Sequence, residues 1–278
     1  MTADTLIQVR DLEKHFPGRR GGLVPGRAEP VRAVDGISFD VLEGETFGLV
    51  GESGCGKSTT ARLITRLLDP TAGSVTFAGN DIARLARSEL KPLRREMQMI
   101  FQDPYSSLNP RHTVGVIIGE PFVIHDIERN AQRRRVMVQE LMERVGLNAE
   151  HYNRLPHQFS GGQRQRIGVA RAIALKPRMI VADEPVSALD VSIQAQIINL
   201  LGELQADLGL TLLFIAHDLG VVRHICDRVG VMKAGKLVEV AAADTLFGSP
   251  QDPYTRALLA AVPVPDPTLS RRHARAAG

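Results

Sequence analysis

The stretch Gly51–Ser58, GESGCGKS, constrains this chain more than any other part of it, because it meets the pattern G-x-x-x-x-G-K-[ST] at every fixed position. Before it stands the apolar run TFGLV at 46–50, of a length that suits a buried strand. After it the segment from Lys57 to Leu68 has the apolar spacing of a helix. A strand, a glycine loop and a helix in that order turn backbone N–H groups toward phosphate oxygens. Gly51, Gly54 and Gly56 give the freedom to turn, and the positive helix end adds to the attraction. Lys57 is then expected to supply a cation to the β and γ phosphates of a nucleotide, and the Ser58 hydroxyl to coordinate Mg²⁺. Glu52, Ser53, Cys55 and Thr59 complete the expected binding loop and its first helical turn. A chance glycine turn does not call for both flanking elements. Nothing at position 55 requires a thiol, so Cys55 reads as a small tolerated side chain.

Such a loop would equally suit a kinase, a GTPase or a helicase. A second signal narrows the choice: Phe159, Ser160, Gly161, Gly162 and Gln163 stand directly before the helix-like RQRIGVARAIAL. That arrangement places hydroxyl and backbone donors at another helix start, a second phosphate-binding end. Two such ends far apart in one chain make most sense if two chains meet head to tail, each sandwiching an ATP against the other.

Around these motifs the chain reads as an α/β protein. LIQVRDL, VRAVDGISFDVL and GSVTFAGNDI are short β-rich pieces of an antiparallel layer, broken by the turn-rich PGRRGGLVPGRAEP at 17–30. MIVAD at 179–183 and TLLFIAH at 211–217 read as parallel core strands whose polar ends fall at the ligand-binding carboxyl edge. Helical periodicity and charge between about 88 and 165 predict an inserted helical subdomain. The expected boundaries are 1–250 for the nucleotide-binding domain and 251–278 for an extension that docks first and then becomes disordered. The arginines at 133–135 read as a solvated helix face.

With these residues the chain resembles the ABC-type ATPases, whose signature reads LSGGQ, from Leu6 to about Val264. Phe159 stands where the family has leucine, a change of one apolar packing residue. The fold implied is a P-loop NTPase core with an antiparallel β subdomain and an inserted helical subdomain, and the assembly implied is a dimer with two composite ATP sites. The resemblance also implies individual roles. In MIVADEP, Asp183 orients Mg²⁺ and Glu184 polarises the attacking water as general base. Gln102 in FQDP reaches Mg²⁺ and water at the hinge between core and helical subdomain, and His217 contacts the γ phosphate. Ser187, Ala188, Leu189 and Asp190 match the loop that crosses between subunits, and Phe16 in DLEKHF matches the aromatic that stacks on adenine.

LVGESGCGKST, MIFQDPYSSLNPR, FSGGQRQRIGVARAIAL and PYTRALLAAVPVP resemble one branch in particular, the ATPases of oligopeptide, dipeptide and nickel importers. That branch carries a C-terminal extension marked His-Pro-Tyr, and here Asp252, Pro253 and Tyr254 stand in its place. Peptide import is the reading preferred, with nickel or another small solute of the same branch as the alternative. The expected partners are a second ATPase subunit, a paralogue in a heterodimer, two membrane permease subunits touched near Gln102 and Tyr105 to Asn109, and an extracytoplasmic solute-binding protein. The chain is expected at the cytoplasmic face of the membrane, bound peripherally, because no stretch approaches the roughly 18 apolar residues of a span. With 34 basic and 31 acidic residues, no nucleic-acid partner is demanded. A DNA-acting ATPase of the same family would need large coiled-coil or zinc insertions, against which stand the short spacing between Ser58 and Ser160 and the absence of cysteine pairs. No iron-sulfur cluster is expected, since no cysteine follows Cys226.

Overall fold

Strand β1 (Thr5–Phe16) runs antiparallel to β2 (Val31–Leu42), and the chain then enters the core through β3 (Thr46–Val50). After the helix Lys57–Ile64, β4 (Ala72–Phe77) and β5 (Asn80–Asp81) return to the first layer, giving the sheet order β2-β1-β4-β5. The second sheet uses β3 together with β6 (Met97–Ile100), β7 (Met179–Asp183), β8 (Thr211–Ile215), β9 (Arg228–Lys233) and β10 (Lys236–Ala242), in the order β10-β9-β3-β8-β7-β6. Its strands pair in parallel except for the last hairpin, β9 with β10. The computed structural model describes residues 4–18, 30–86, 88–103 and 107–261.

All five residues of β3, β7 and β8 are buried, as expected of parallel strands covered on both faces. The two faces feed different cores. Ile180, Ala182, Leu212 and Phe214 pack with the helices, whereas Met179, Val181, Leu213 and Ile215 pack with the antiparallel layer. Phe47 of β3 belongs to the second core, fully buried and stacked on Phe39 of β2 with ring centroids 5.1 Å apart. This stack fixes the β layer over the strand that carries the glycine loop.

The helical region differs from expectation at both ends. Met97–Ile100, inside the stretch expected to be helical from 88, pairs with β7 as the edge of the core sheet. The helices of the subdomain are Val114–Ile124, Ala131–Arg144 and Gly161–Ile173, so the last runs past 165 and packs on both β6 and the helix Val191–Leu208. Caps define the starts: Thr113 accepts from the amide of Val116, and Asn130 from those of Gln132 and Arg133. The arginine cluster is largely the solvated face expected, Arg133 and Arg135 being exposed. Arg134 donates to the carbonyls of Glu128 and Arg129, and Arg135 lies over the Tyr152 ring. The helix after the glycine loop ends at Ile64 rather than reaching Leu68.

The C-terminal region carries the helix Pro253–Ala260, whose Tyr254, Leu258 and Leu259 pack against the core. Asp252, the residue in place of the family histidine, caps this helix by accepting from the amides of Tyr254 and Thr255. Just before it, Glu239 accepts from the amides of Gln251 and Asp252. Partial burial pushes the Glu239 carboxyl upward, but these bonds and the nearby Arg256 outweigh it and hold the group below its usual range. Residues from 262 onward, Tyr105 and most of the turn-rich segment lie outside the described residues.

Replacing Phe47 by alanine should cost about 3–5 kcal/mol of stability, the usual penalty for a buried aromatic, measured by urea unfolding followed by circular dichroism.

Candidate functional site

Parallel strands bring their carboxyl ends to one edge of a sheet, and that alone assembles this site. Gly51 follows β3, Gln102 follows β6 by two residues, Glu184 follows β7 directly and His217 follows β8 by two. Because β3, β8, β7 and β6 are neighbours, residues far apart in sequence become adjacent. Gln102 Nε2 donates to Glu184 Oε2 at 2.8 Å, and His217 Nδ1 lies 3.4 Å from the same oxygen. Ser58 Oγ donates to Asp183 Oδ1 at 2.8 Å. Burial raises the pKa of Asp183, partly opposed by the Ser58 bond and the nearby Arg62. Glu184 sits in the left-handed region with φ 47°, unusual for a residue with a side chain, and its amide donates to Ile215 O at 2.9 Å. Strain of this kind costs on the order of 1 kcal/mol and collects at working sites.

The glycine loop takes its shape from close backbone approach. Gly51, Gly54 and Gly56 have φ of 149°, 81° and 111°. A Cβ on Gly56 would lie 2.2 Å from Ala33 O, and one on Gly51 2.1 Å from Met232 O. Among the described residues, the amides of Gly54, Gly56, Ser58 and Thr59 enter no backbone hydrogen bond, which leaves convergent donors at a helix start. Lys57 is 4% exposed and folds back over the loop, its Nζ donating to Gly51 O at 2.7 Å and Glu52 O at 2.9 Å. Cys55 is buried beside it, with its thiol pKa pushed up by burial and lowered in part by Lys57.

The second motif is built as a capped helix start. Ser160 Oγ accepts from the Gln163 amide at 3.3 Å, and Gln163 Oε1 accepts from the Ser160 amide at 3.0 Å. Gly162 has a steric reason as well, since a Cβ there would lie 2.4 Å from Ile193 Cγ2. Gly161 faces Leu189 of the 187–190 loop. No hydrogen bond among the described residues joins Ser160–Gln163 to the glycine loop of the same chain. Phe16 is not part of either core: it ends β1 half-buried, with the Lys14 ammonium 5.4 Å from its ring centroid.

Two contacts escape any reading of the linear motifs. Arg171, in the helix that Ser160 begins, donates to Ser107 O at 2.9 Å and so ties that helix to the segment following Gln102. Tyr254 of the extension accepts from the Glu52 amide at 3.3 Å. The DPY triplet flags residue 254, but nothing in its spacing points to a loop some two hundred positions earlier.

A strand, a glycine loop and a helix beside a strand that ends in Asp183, with Glu184 directly after it, define a P-loop ATPase. The family model described as "ABC transporter" matches residues 34–187, and that described as "Oligopeptide/dipeptide transporter, C-terminal region" matches 238–277. The chain is 56% identical over 273 residues to the oligopeptide transport ATP-binding protein OppF of Bacillus subtilis, covering 98% of this chain and 87% of that one. It is 55% identical to AppF of the same organism, also an oligopeptide transport ATP-binding protein, over 94% of this chain and 79% of that one. Among solved structures it resembles MJ0796, a dimeric ATP-binding cassette in a post-hydrolysis state bound to ADP and Pi, with TM-score 0.75 and 29% identity over 86% of this chain and 99% of that one. It also resembles cbiO1 of Clostridium perfringens, part of the ABC transporter complex cbiONQ, with TM-score 0.74 and 26% identity over 88% of this chain and 92% of that one. The chain belongs to the ABC transporter family, as an ATP-binding and ATP-hydrolysing subunit.

Alanine at Gly56 is expected to weaken ATP binding at least about tenfold, since it combines a positive φ with a backbone clash. Titration with a fluorescent ATP analogue, beside a thermal melt to confirm folding, measures it.

Proposed function

We propose that this chain is an ATPase subunit of a peptide importer and that it works as one half of a head-to-tail pair with a second ATPase subunit, a paralogue. The observation that carries the reading is the meeting of Gln102, Glu184 and His217 at the ends of three adjacent strands, next to the Ser58–Asp183 pair. ATP phosphates would settle on the free amides of the glycine loop, and Lys57 would exchange its carbonyl partners for phosphate oxygens. Glu184 polarises the attacking water, while His217 holds Glu184 from one side and meets the charge that develops on the γ phosphate. The oxygens of Ser58 and Asp183, with the Gln102 amide, form the hard donor set that suits Mg²⁺, which when bound would offset phosphate charge. Ser160 to Gln163 of the neighbouring chain complete the site, a role supported by the absence, among the described residues, of any hydrogen bond between them and the loop of their own chain. Phe16, accessible at the end of β1, stacks on adenine.

Coupling to two membrane permease subunits is assigned to the groove beside Gln102. Leu67, Phe101 and Ile124 expose apolar surface there, and Glu120 and Arg171 line it. Among the described residues no helix is long and apolar enough to cross a membrane, which fits a peripheral place at the cytoplasmic face beneath those partners. An extracytoplasmic solute-binding protein completes the importer. The two Bacillus subtilis relatives are oligopeptide transport ATP-binding proteins, and this favours peptides over nickel and over work on DNA.

Glu184→Gln is expected to keep ATP binding and lower turnover at least about 100-fold, the usual scale for a general base. Lys57→Ala should instead lose nucleotide affinity. ATP titration beside phosphate release separates the two, and full turnover in E184Q refutes the assignment. For the cargo, peptides should stimulate ATP hydrolysis by the purified complex in vesicles. Stimulation by nickel ions and not by peptides overturns that part of the reading.

A further inference from the structure

The peptide unit linking Gly51 to Glu52 is held at both of its poles. Lys57 Nζ donates to its carbonyl oxygen, Gly51 O, at 2.7 Å, and the Tyr254 hydroxyl accepts from its N–H, that of Glu52, at 3.3 Å. A planar trans peptide points these two groups in opposite directions, so the two bonds fix the orientation of the whole unit. The fixing matters here because Gly51, at φ 149°, has no side chain to resist rotation of that plane. Of the two holds, the lysine is the mobile one: in the hydrolysis cycle its ammonium must leave carbonyls for phosphate oxygens. The tyrosine hold remains.

We propose that Tyr254 is a positioning residue of the ATP site, and that through it the C-terminal extension keeps the start of the phosphate loop in its receptive shape when Lys57 turns to the nucleotide. The hydroxyl is itself placed with care. Tyr254 opens a helix capped by Asp252, and Lys233, at the end of the strand next to β3, lies 4.5 Å from its ring centroid. Glu239 of β10 secures the approach by taking the amides of Gln251 and Asp252. A further tie from the same hairpin reaches the far side of the loop, where the Gly235 amide donates to Cys55 O at 2.9 Å. The loop is therefore braced from the C-terminal part of the chain at two points. With its N–H committed to Tyr254, Glu52 does not belong among the phosphate donors; its place in the loop is structural.

The test compares Tyr254→Phe with Arg256→Ala in the full chain. Y254F keeps the ring, its packing and the Lys233 contact while removing the hydroxyl that accepts from the Glu52 amide. R256A removes the bonds that tie the same helix to Pro250 O and Gln251 O without touching the loop. The expected result for Y254F is ATP affinity weakened about 3- to 10-fold, the scale of one hydrogen bond, and a KM raised in proportion while kcat changes less than twofold. R256A should bind ATP within twofold of the unaltered chain. Hydrogen exchange of the 51–56 backbone should be faster in Y254F. Unchanged affinity in Y254F overturns the proposal, and so does an equal loss in R256A, which would reflect general loosening of the extension, or unchanged exchange of the loop. Failure of the unaltered chain to bind ATP would instead count against the roles given to the glycine loop.

Discussion

The site depends on a short length of backbone being kept open against its own tendency to close. An array of free amides at a helix start is costly to leave unpaired, and a loop able to rotate would satisfy them internally. Here the loop cannot collapse, because Gly56 lies against the Ala33 carbonyl, Gly51 against that of Met232, and Cys55 is bonded to Gly235. These contacts come from the antiparallel layer on one side and the β9–β10 hairpin on the other. Two separate parts of the chain thus hold the loop proposed to cradle the phosphates.

The acidic pair is arranged on a different principle, that of unequal environments. Asp183 is the last residue of a buried strand, bonded to Ser58, with its pKa raised by burial. Glu184 is one step further, in a strained turn, and meets Gln102 and His217. Two adjacent carboxylates therefore have different partners, one beside the helix of the phosphate loop and one facing Gln102 and His217. Gln102 leads into the segment that Arg171 holds, so the carboxylate proposed to act on water is two contacts from the helix that Ser160 caps.

Much of the fold could be read in advance because the signals were local and strong. The glycine loop sits between a strand and a helix, the two apolar runs MIVAD and TLLFIAH are core strands, and the LSGGQ-like turn is a helix cap whose Ser160 and Gln163 satisfy each other. Where local signals are weak, pairing across the fold decides. MQMI at 97–100 is too short to show a period of its own beside the charged helix before it, and its strand character comes from pairing with β7. The arginines at 133–135 are largely the solvated face the run suggests, Arg133 and Arg135 being exposed, while the carbonyl partners of Arg134 and the Tyr152 ring over which Arg135 lies are outside the run itself.

The sequence by itself determined the chemistry of this chain, since residue types at fixed short spacings specify a phosphate loop, an acidic strand end and a capped helix start without reference to the remainder. Tertiary structure alone decided which of these groups meet. Gln102, Glu184 and His217 converge because β6, β7 and β8 are parallel neighbours, and Tyr254 reaches Glu52 because a hairpin and a capped helix carry it there. Adjacency across a sheet depends on strand order, and strand order is set by the burial of whole faces, which no short stretch of residues encodes.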